Sequence, residues 1–196
     1  MKLSGSYQIK LEKQKVWEAL NNPEILKQAI PGCEEFIKKS DTEFTATAKN
    51  KIGPFNASFT GDIELKDIDA PNSYKITGSG NSPVGFASGE ASVKLEGKEG
   101  TTELIYSVEA NVGGKIAQVG SRLIDMTAKK MADVFFGKFS EIISSTNAED
   151  EKMISEELNI LTNEKILNQN NNKKKYLYFS FAALIVLIIY IFYNNF

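Results

Sequence analysis

The chain contains no histidine, one cysteine (Cys33), one arginine (Arg122) and one tryptophan (Trp17). Each scarcity removes a class of chemistry. Without an imidazole there is no acid/base group titrating near neutral pH, no Ser-His or Cys-His nucleophile and no His-ligated metal. A single cysteine forbids an intrachain disulfide and fits a reducing compartment. With no activating partner, Cys33 reads as a small buried or edge residue rather than a nucleophile. Positive charge is not in excess: 23 Lys and Arg face 25 Asp and Glu, a formal net charge of -2, which is not the composition of a nucleic-acid binder. Residues 1–11 alternate and carry charge, without the apolar stretch of a secretory signal. The glycines around Gly78-Ser79-Gly80 and in Gly85 to Gly89 lack the lysine and hydroxyl of a phosphate loop, and they lie among strand signals. Glu34 and Glu35 are adjacent and would face opposite sides of a strand. Arg122 and Asp125, three apart on a helix, are expected to pair at the surface. These absences point away from an enzyme and from a covalent or metal cofactor.

One long hydrophobic run is present, at residues 176–193, with no charged side chain. As a helix its 18 residues would span roughly 27 Å, close to the hydrocarbon thickness of a bilayer, about 30 Å. Tyr176, Tyr178, Tyr190 and Tyr193 fall near its ends, where amphipathic rings favour the headgroup region. Lys173, Lys174 and Lys175 precede it. Positive charge stays inside, so the expectation is a single-pass transmembrane anchor, with the preceding domain on the cytoplasmic side of the cell membrane.

The remaining chain divides by composition. Residues 1–146 read as one folded domain, 147–172 as a polar linker that could be partly helical, and 173–196 as basic flank and anchor. A flexible linker of that length reaches roughly 28 Å. Within the domain, residues 1–11 alternate as a strand, and two short helical pieces follow, broken at Asn21-Asn22-Pro23. Alternating runs begin at Phe44, Phe55, Tyr74, Ala87 and Leu104, separated by turn residues. After Gly113-Gly114 the apolar period lengthens: Ile116, Val119, Leu123, Met126, Val134, Phe135, Phe139 and Ile142 predict one long amphipathic helix over 115–145. The expected class is α+β, an antiparallel meander with the long helix as its only cover. The inner-face positions are unusually small: Ala46, Ala57, Gly61, Gly78, Gly89, Ala91 and Ala110. Small residues on a curved sheet can leave an apolar space, or they can mark bends and close helix approach.

Several blocks resemble the CoxG family of proteins associated with carbon monoxide dehydrogenase. They are Ala29-Ile30-Pro31-Gly32-Cys33-Glu34; Lys51-Ile52-Gly53-Pro54 followed by Phe59-Thr60-Gly61; Gly85-Phe86-Ala87-Ser88-Gly89-Glu90-Ala91; Gly114 through Ile124; and Phe135-Phe136-Gly137-Lys138-Phe139. The family belongs to the START-like, Bet v 1-like (SRPBCC) superfamily. The resemblance implies a helix-grip fold, a curved antiparallel sheet around a long C-terminal helix, enclosing an apolar cavity. It also implies a membrane-tethered carrier of a lipid or a menaquinone-like quinone, serving a molybdenum hydroxylase of the carbon monoxide dehydrogenase type. The alternative is a docking adaptor for such an enzyme, with a packed core and no ligand. Candidate cavity residues are Phe44, Phe55, Phe59, Phe86, Tyr106, Val119, Leu123 and Met126.

Overall fold

The computed structural model describes residues 1–148, 152–153 and 156. Residues Met1–Thr146 form one compact unit; the remainder lies almost wholly outside the described residues. Strand β1 (Lys2–Ile9) leads to helices α1 (Lys13–Leu20) and α2 (Pro23–Ala29). Six strands follow: β2 (Cys33–Lys38), β3 (Glu43–Ile52), β4 (Phe55–Asp69), β5 (Ser73–Ser82), β6 (Gly85–Lys98) and β7 (Thr101–Gly113). They pair in the order β1-β7-β6-β5-β4-β3-β2, antiparallel throughout. Short hairpins join β2 to β7, and β1 closes one edge beside β7. A 3₁₀ turn, Lys115–Val119, and helix α3, running from residue 121, complete the helix-grip fold.

Local chemistry explains the breaks. Asn22 caps α2, its side chain accepting from the amides of Glu24 and Ile25, and Pro23 follows in the first helical turn. The single helix expected over 115–145 is instead divided at Gly120. There φ is 88° and ψ 150°, far from helical values, so the chain makes a 3₁₀ turn first and an α-helix after it. Six strands follow the helices, as the order of elements suggests, but β2 is not among the alternating runs. Strand β2 escapes that signal because a bulge between Cys33 and Glu35 disrupts its period. Arg122 and Asp125 form no ion pair with each other; the six pairs formed among the described residues are elsewhere and exposed.

The core fills one end of the grip. Ile9, Val16, Leu104 and Phe139 are fully enclosed there, with Leu11, Leu20, Leu95 and Ile143 around them. Thr102 is buried among them and donates its hydroxyl to the Leu11 carbonyl at 2.7 Å, so its polarity is satisfied. Among the described residues no helix is long and apolar enough to cross a membrane. The expected span at 176–193 lies outside the described residues, as does nearly all of the linker expected at 147–172.

Candidate functional site

Beyond the filled core, the concave face of the sheet and the underside of α3 stand apart. The space between them is a cavity of about 470 Å³. Its floor is Phe44, Ile63, Leu65, Ile76, Ala91 and Val93; its roof is Ala128, Met131, Ala132, Phe135 and Phe136 on α3; Leu20, Leu26 and Ile30 close the side. A second hollow of about 260 Å³ lies under the start of α3, between Ile52, Phe59, Ala87, Val112, Ile116 and Ile124. The two share the Ala128 and Met131 walls. A third, of about 360 Å³, lies along the sheet and borders both, through Ile63, Ile76 and Val108 on one side and Phe59, Gly80 and Ala87 on the other. The first two carry no Asp, Glu, Lys or Arg in their walls. Their volumes fall in or near the ligand-pocket range, about 300–1,000 Å³. A hollow of about 480 Å³ involving Lys39, Glu43, Asp62 and Glu64 is polar by contrast. It carries the Lys39–Asp62 ion pair and does not suit an apolar molecule.

The small inner residues do both things open to them. A side chain at Gly61 would sit 2.2 Å from the Ser79 carbonyl oxygen, and one at Gly89 2.4 Å from that of Glu109. These two let neighbouring strands approach closely as the sheet coils. At Gly78 and Gly80 the nearest atoms would be 3.5 and 3.7 Å away, ordinary contact, so these glycines add room. With Ala46, Ala48, Ala87 and Ala110 they leave an inner face that is half-exposed rather than buried.

One wall is aromatic. Tyr7 stacks on Phe136 at 4.2 Å between ring centroids, and Tyr106 lies 5.3 Å from the same ring. Tyr7 donates its hydroxyl to the Asp133 carboxylate, tying β1 to α3. Burial first, and then this acceptor, push the Tyr7 pKa up to about 12. Burial also raises the Tyr74 and Tyr106 pKa values, so both stay protonated hydrogen-bond donors. Tyr74 packs edge-on against Trp17 of α1, 5.3 Å away. Burial raises the Cys33 thiol as well, and the thiol donates to the Glu35 carbonyl, which suits an inert edge residue.

Of the residues expected at a cavity, Phe44 and Tyr106 line the larger hollow and Phe59 the second. Phe55, Phe86, Val119, Leu123 and Met126 line neither. Val119 and Leu123 pack over Gly53 in the β3–β4 turn, Phe86 lies against Gly113 and is 49% exposed, and Met126 is 61% exposed. Sequence reasoning did not select Leu65, Tyr74, Ile76, Met131, Phe135 or Phe136 as site residues. The signal existed: Leu65 and Ile76 sit on the inward alternation, and Ala128, Met131, Ala132 and Phe135 repeat at helical spacing. Among the described residues no group of three or more Cys, Asp or Glu could hold a metal.

The family model of CoxG, a carbon monoxide dehydrogenase component, matches residues 5–144. A comparison with curated proteins finds no match. Among solved structures, a conserved protein from Geobacillus kaustophilus is 29% identical with a TM-score of 0.71, covering 74% of this chain and 97% of its own. The Zhui aromatase/cyclase from Streptomyces sp. R1128 is 12% identical with a TM-score of 0.56, covering 74% and 93%, and shares the fold.

Proposed function

Because the chain belongs to the CoxG family of carbon monoxide dehydrogenase components, we propose that it is a non-enzymatic carrier of a lipophilic molecule. The ligand is a respiratory quinone of the menaquinone type. The carrier moves it between the membrane and a molybdenum hydroxylase of the carbon monoxide dehydrogenase kind. The observation that carries this reading is the cavity of about 470 Å³, walled by hydrocarbon and free of charged side chains. An isoprenoid tail crosses water at a cost of roughly 25 cal/mol per Å² of exposed apolar surface, and such a cavity removes that cost. The same open cavity counts against an adaptor with a fully packed core.

In this reading residues 176–193 hold the domain at the cytoplasmic face of the membrane, which keeps its effective concentration high next to the bilayer that stores the quinone. Transfer between vesicles tests the proposal. Donor vesicles loaded with menaquinone are mixed with quinone-free acceptors, with and without the full-length chain. The chain is expected to accelerate transfer in proportion to its concentration. Transfer no faster than the spontaneous rate, together with no detectable binding of menaquinone, would refute carriage.

A further inference from the structure

The walls of the larger cavity hold only two polar side chains, Tyr74 and Tyr106. Both are more than nine-tenths buried, at 5% and 9% exposure. Neither hydroxyl has a hydrogen-bond partner among the described residues, whereas Tyr7, on the same face, has Asp133. No side-chain oxygen or nitrogen in the described residues is both sealed from space and unpartnered. Neither hydroxyl is therefore sealed off, and both tyrosines line the cavity. A buried donor left idle is costly, and proteins keep one where something else satisfies it.

Their placement is not scattered. Tyr74 pairs with Val93 across β5 and β6, and Val93 pairs with Tyr106 across β6 and β7. The three form one row on the inner face, with the tyrosine backbones two strand spacings apart, about 10 Å. Val93 lies between the two tyrosines in this row and lines the same cavity. Gly5, opposite Tyr106 on β1, makes room on the far side, since a side chain there would come within 2.9 Å of the Tyr106 hydroxyl. The second hollow leads away from this row past Ala128 and Met131.

We propose that Tyr74 and Tyr106 form the head-group site of the cavity, donating hydrogen bonds to the oxygens of a neutral, carbonyl-bearing amphiphile whose apolar tail runs into the second hollow. The proposal rests on the carrier reading and names the side chains that would hold the ligand's head. A carboxylate or phosphate head would enter the cavity without any cationic side chain in the wall to pair with, which is the expensive way to bury charge. The Met1 ammonium at the edge of the cavity already donates to the Ala110 carbonyl at 2.9 Å. A carbonyl head loses only its water hydrogen bonds, and the two hydroxyls replace them.

The test uses the full-length chain and three probes: menaquinone-4, squalene as an apolar chain with no head, and oleate as an anionic one. Trp17 reports occupancy near Tyr74, because it is the only tryptophan and packs against that ring. Squalene and oleate are read by displacement of an apolar fluorescent dye. Each of Tyr74→Phe and Tyr106→Phe is expected to weaken menaquinone-4 binding about 3- to 10-fold, as loss of one neutral hydrogen bond does. The double variant should weaken it roughly 10- to 100-fold, with squalene affinity unchanged. Oleate should bind the wild type at least about ten-fold more weakly than menaquinone-4. Because neither hydroxyl has a protein partner, the variants should melt no lower than the wild type. If menaquinone-4 and squalene both bind and the tyrosine variants change neither, the head-group site is wrong and the carrier survives. If neither probe binds the wild type, the carrier reading fails and this one with it.

Discussion

Replacing Ala128 by leucine should make the ligand-free domain more stable and at the same time stop it binding. Ala128 lies on α3 in the shared wall of the two apolar hollows beneath that helix, so a longer side chain there enters empty apolar space. Each added methylene that is buried contributes about 0.8 kcal/mol, and leucine adds the equivalent of roughly three, for an upper figure near 2.4 kcal/mol. Ordering the side chain takes back about 0.5–1 kcal/mol, and the helix-propensity difference from alanine is a few tenths. The net gain is about 1–1.5 kcal/mol, a rise in Tm of roughly 3–5 °C for a domain of this size. The assay is thermal or urea unfolding of wild type and Ala128→Leu after lipid has been stripped, paired with menaquinone titration. A filled interior gives the opposite sign, since overpacking costs about 1–3 kcal/mol. A fall in Tm for the stripped variant would therefore refute the existence of usable space between α3 and the sheet.

Other perturbations separate the remaining parts of the account. Gly61→Ala should cost about 1–3 kcal/mol by urea midpoint, because the new methyl meets the Ser79 carbonyl at 2.2 Å; Gly78→Ala, with 3.5 Å available, should stay within about 0.5 kcal/mol. Asn22→Ala removes the cap that accepts from the Glu24 and Ile25 amides and should cost about 1 kcal/mol in the same assay. Tyr7 has a folded-state pKa raised from 10.0 to about 12, so the native state holds its proton where the unfolded chain has lost it. Its contribution is complete below pH 10.0 and is lost as pH rises toward about 12. Unfolding midpoints measured across that window should fall, and Tyr7→Phe should shallow the fall without abolishing it, since Tyr74 and Tyr106 are raised too. A Tyr7→Phe variant with an unchanged alkaline profile would contradict the assigned role of its contact with Asp133.

Much of the fold was legible because its signals are periodic. The alternation in β4, from Phe55 to Leu65, and in β7, from Leu104 to Val112, survives intact as inward and outward faces. Where the period and the backbone part company, the reading slips. Ile116, Val119 and Leu123 keep helical spacing straight across Gly120, so the break there is invisible to hydropathy and visible only in its positive φ. Strand β2 has the converse problem: the bulge at Cys33 and Glu35 removes the period while the pairing with β3 continues.

The cavity was only half legible. Small residues at inner positions are readable, but whether a glycine bends the sheet or opens it depends on the distance to the next strand. That distance separates Gly61 from Gly78, and no one-dimensional pattern holds it. Phe44, Phe59 and Tyr106 could be placed inward by alternation alone. Tyr74 was readable as a strand residue. Its burial in the cavity wall involves Trp17 of α1 packing against its ring, a contact between residues far apart in the chain. Leu123 and Met126 share the apolar stripe of α3, yet Leu123 packs over Gly53 and Met126 faces solvent, while the roof of the larger hollow starts at Ala128.

Extraction and mass spectrometry of whatever co-purifies with the full-length chain tests the central claim most directly. The chain is purified from membranes of quinone-containing cells, beside the double variant Tyr74→Phe/Tyr106→Phe and the blocked variant Ala128→Leu. The account predicts a neutral isoprenoid quinone in the wild type approaching one per chain, less in the tyrosine variant and essentially none in the blocked one. A wild-type chain that is correctly folded but carries no quinone or other lipid, and takes none up from menaquinone-loaded vesicles, would contradict it.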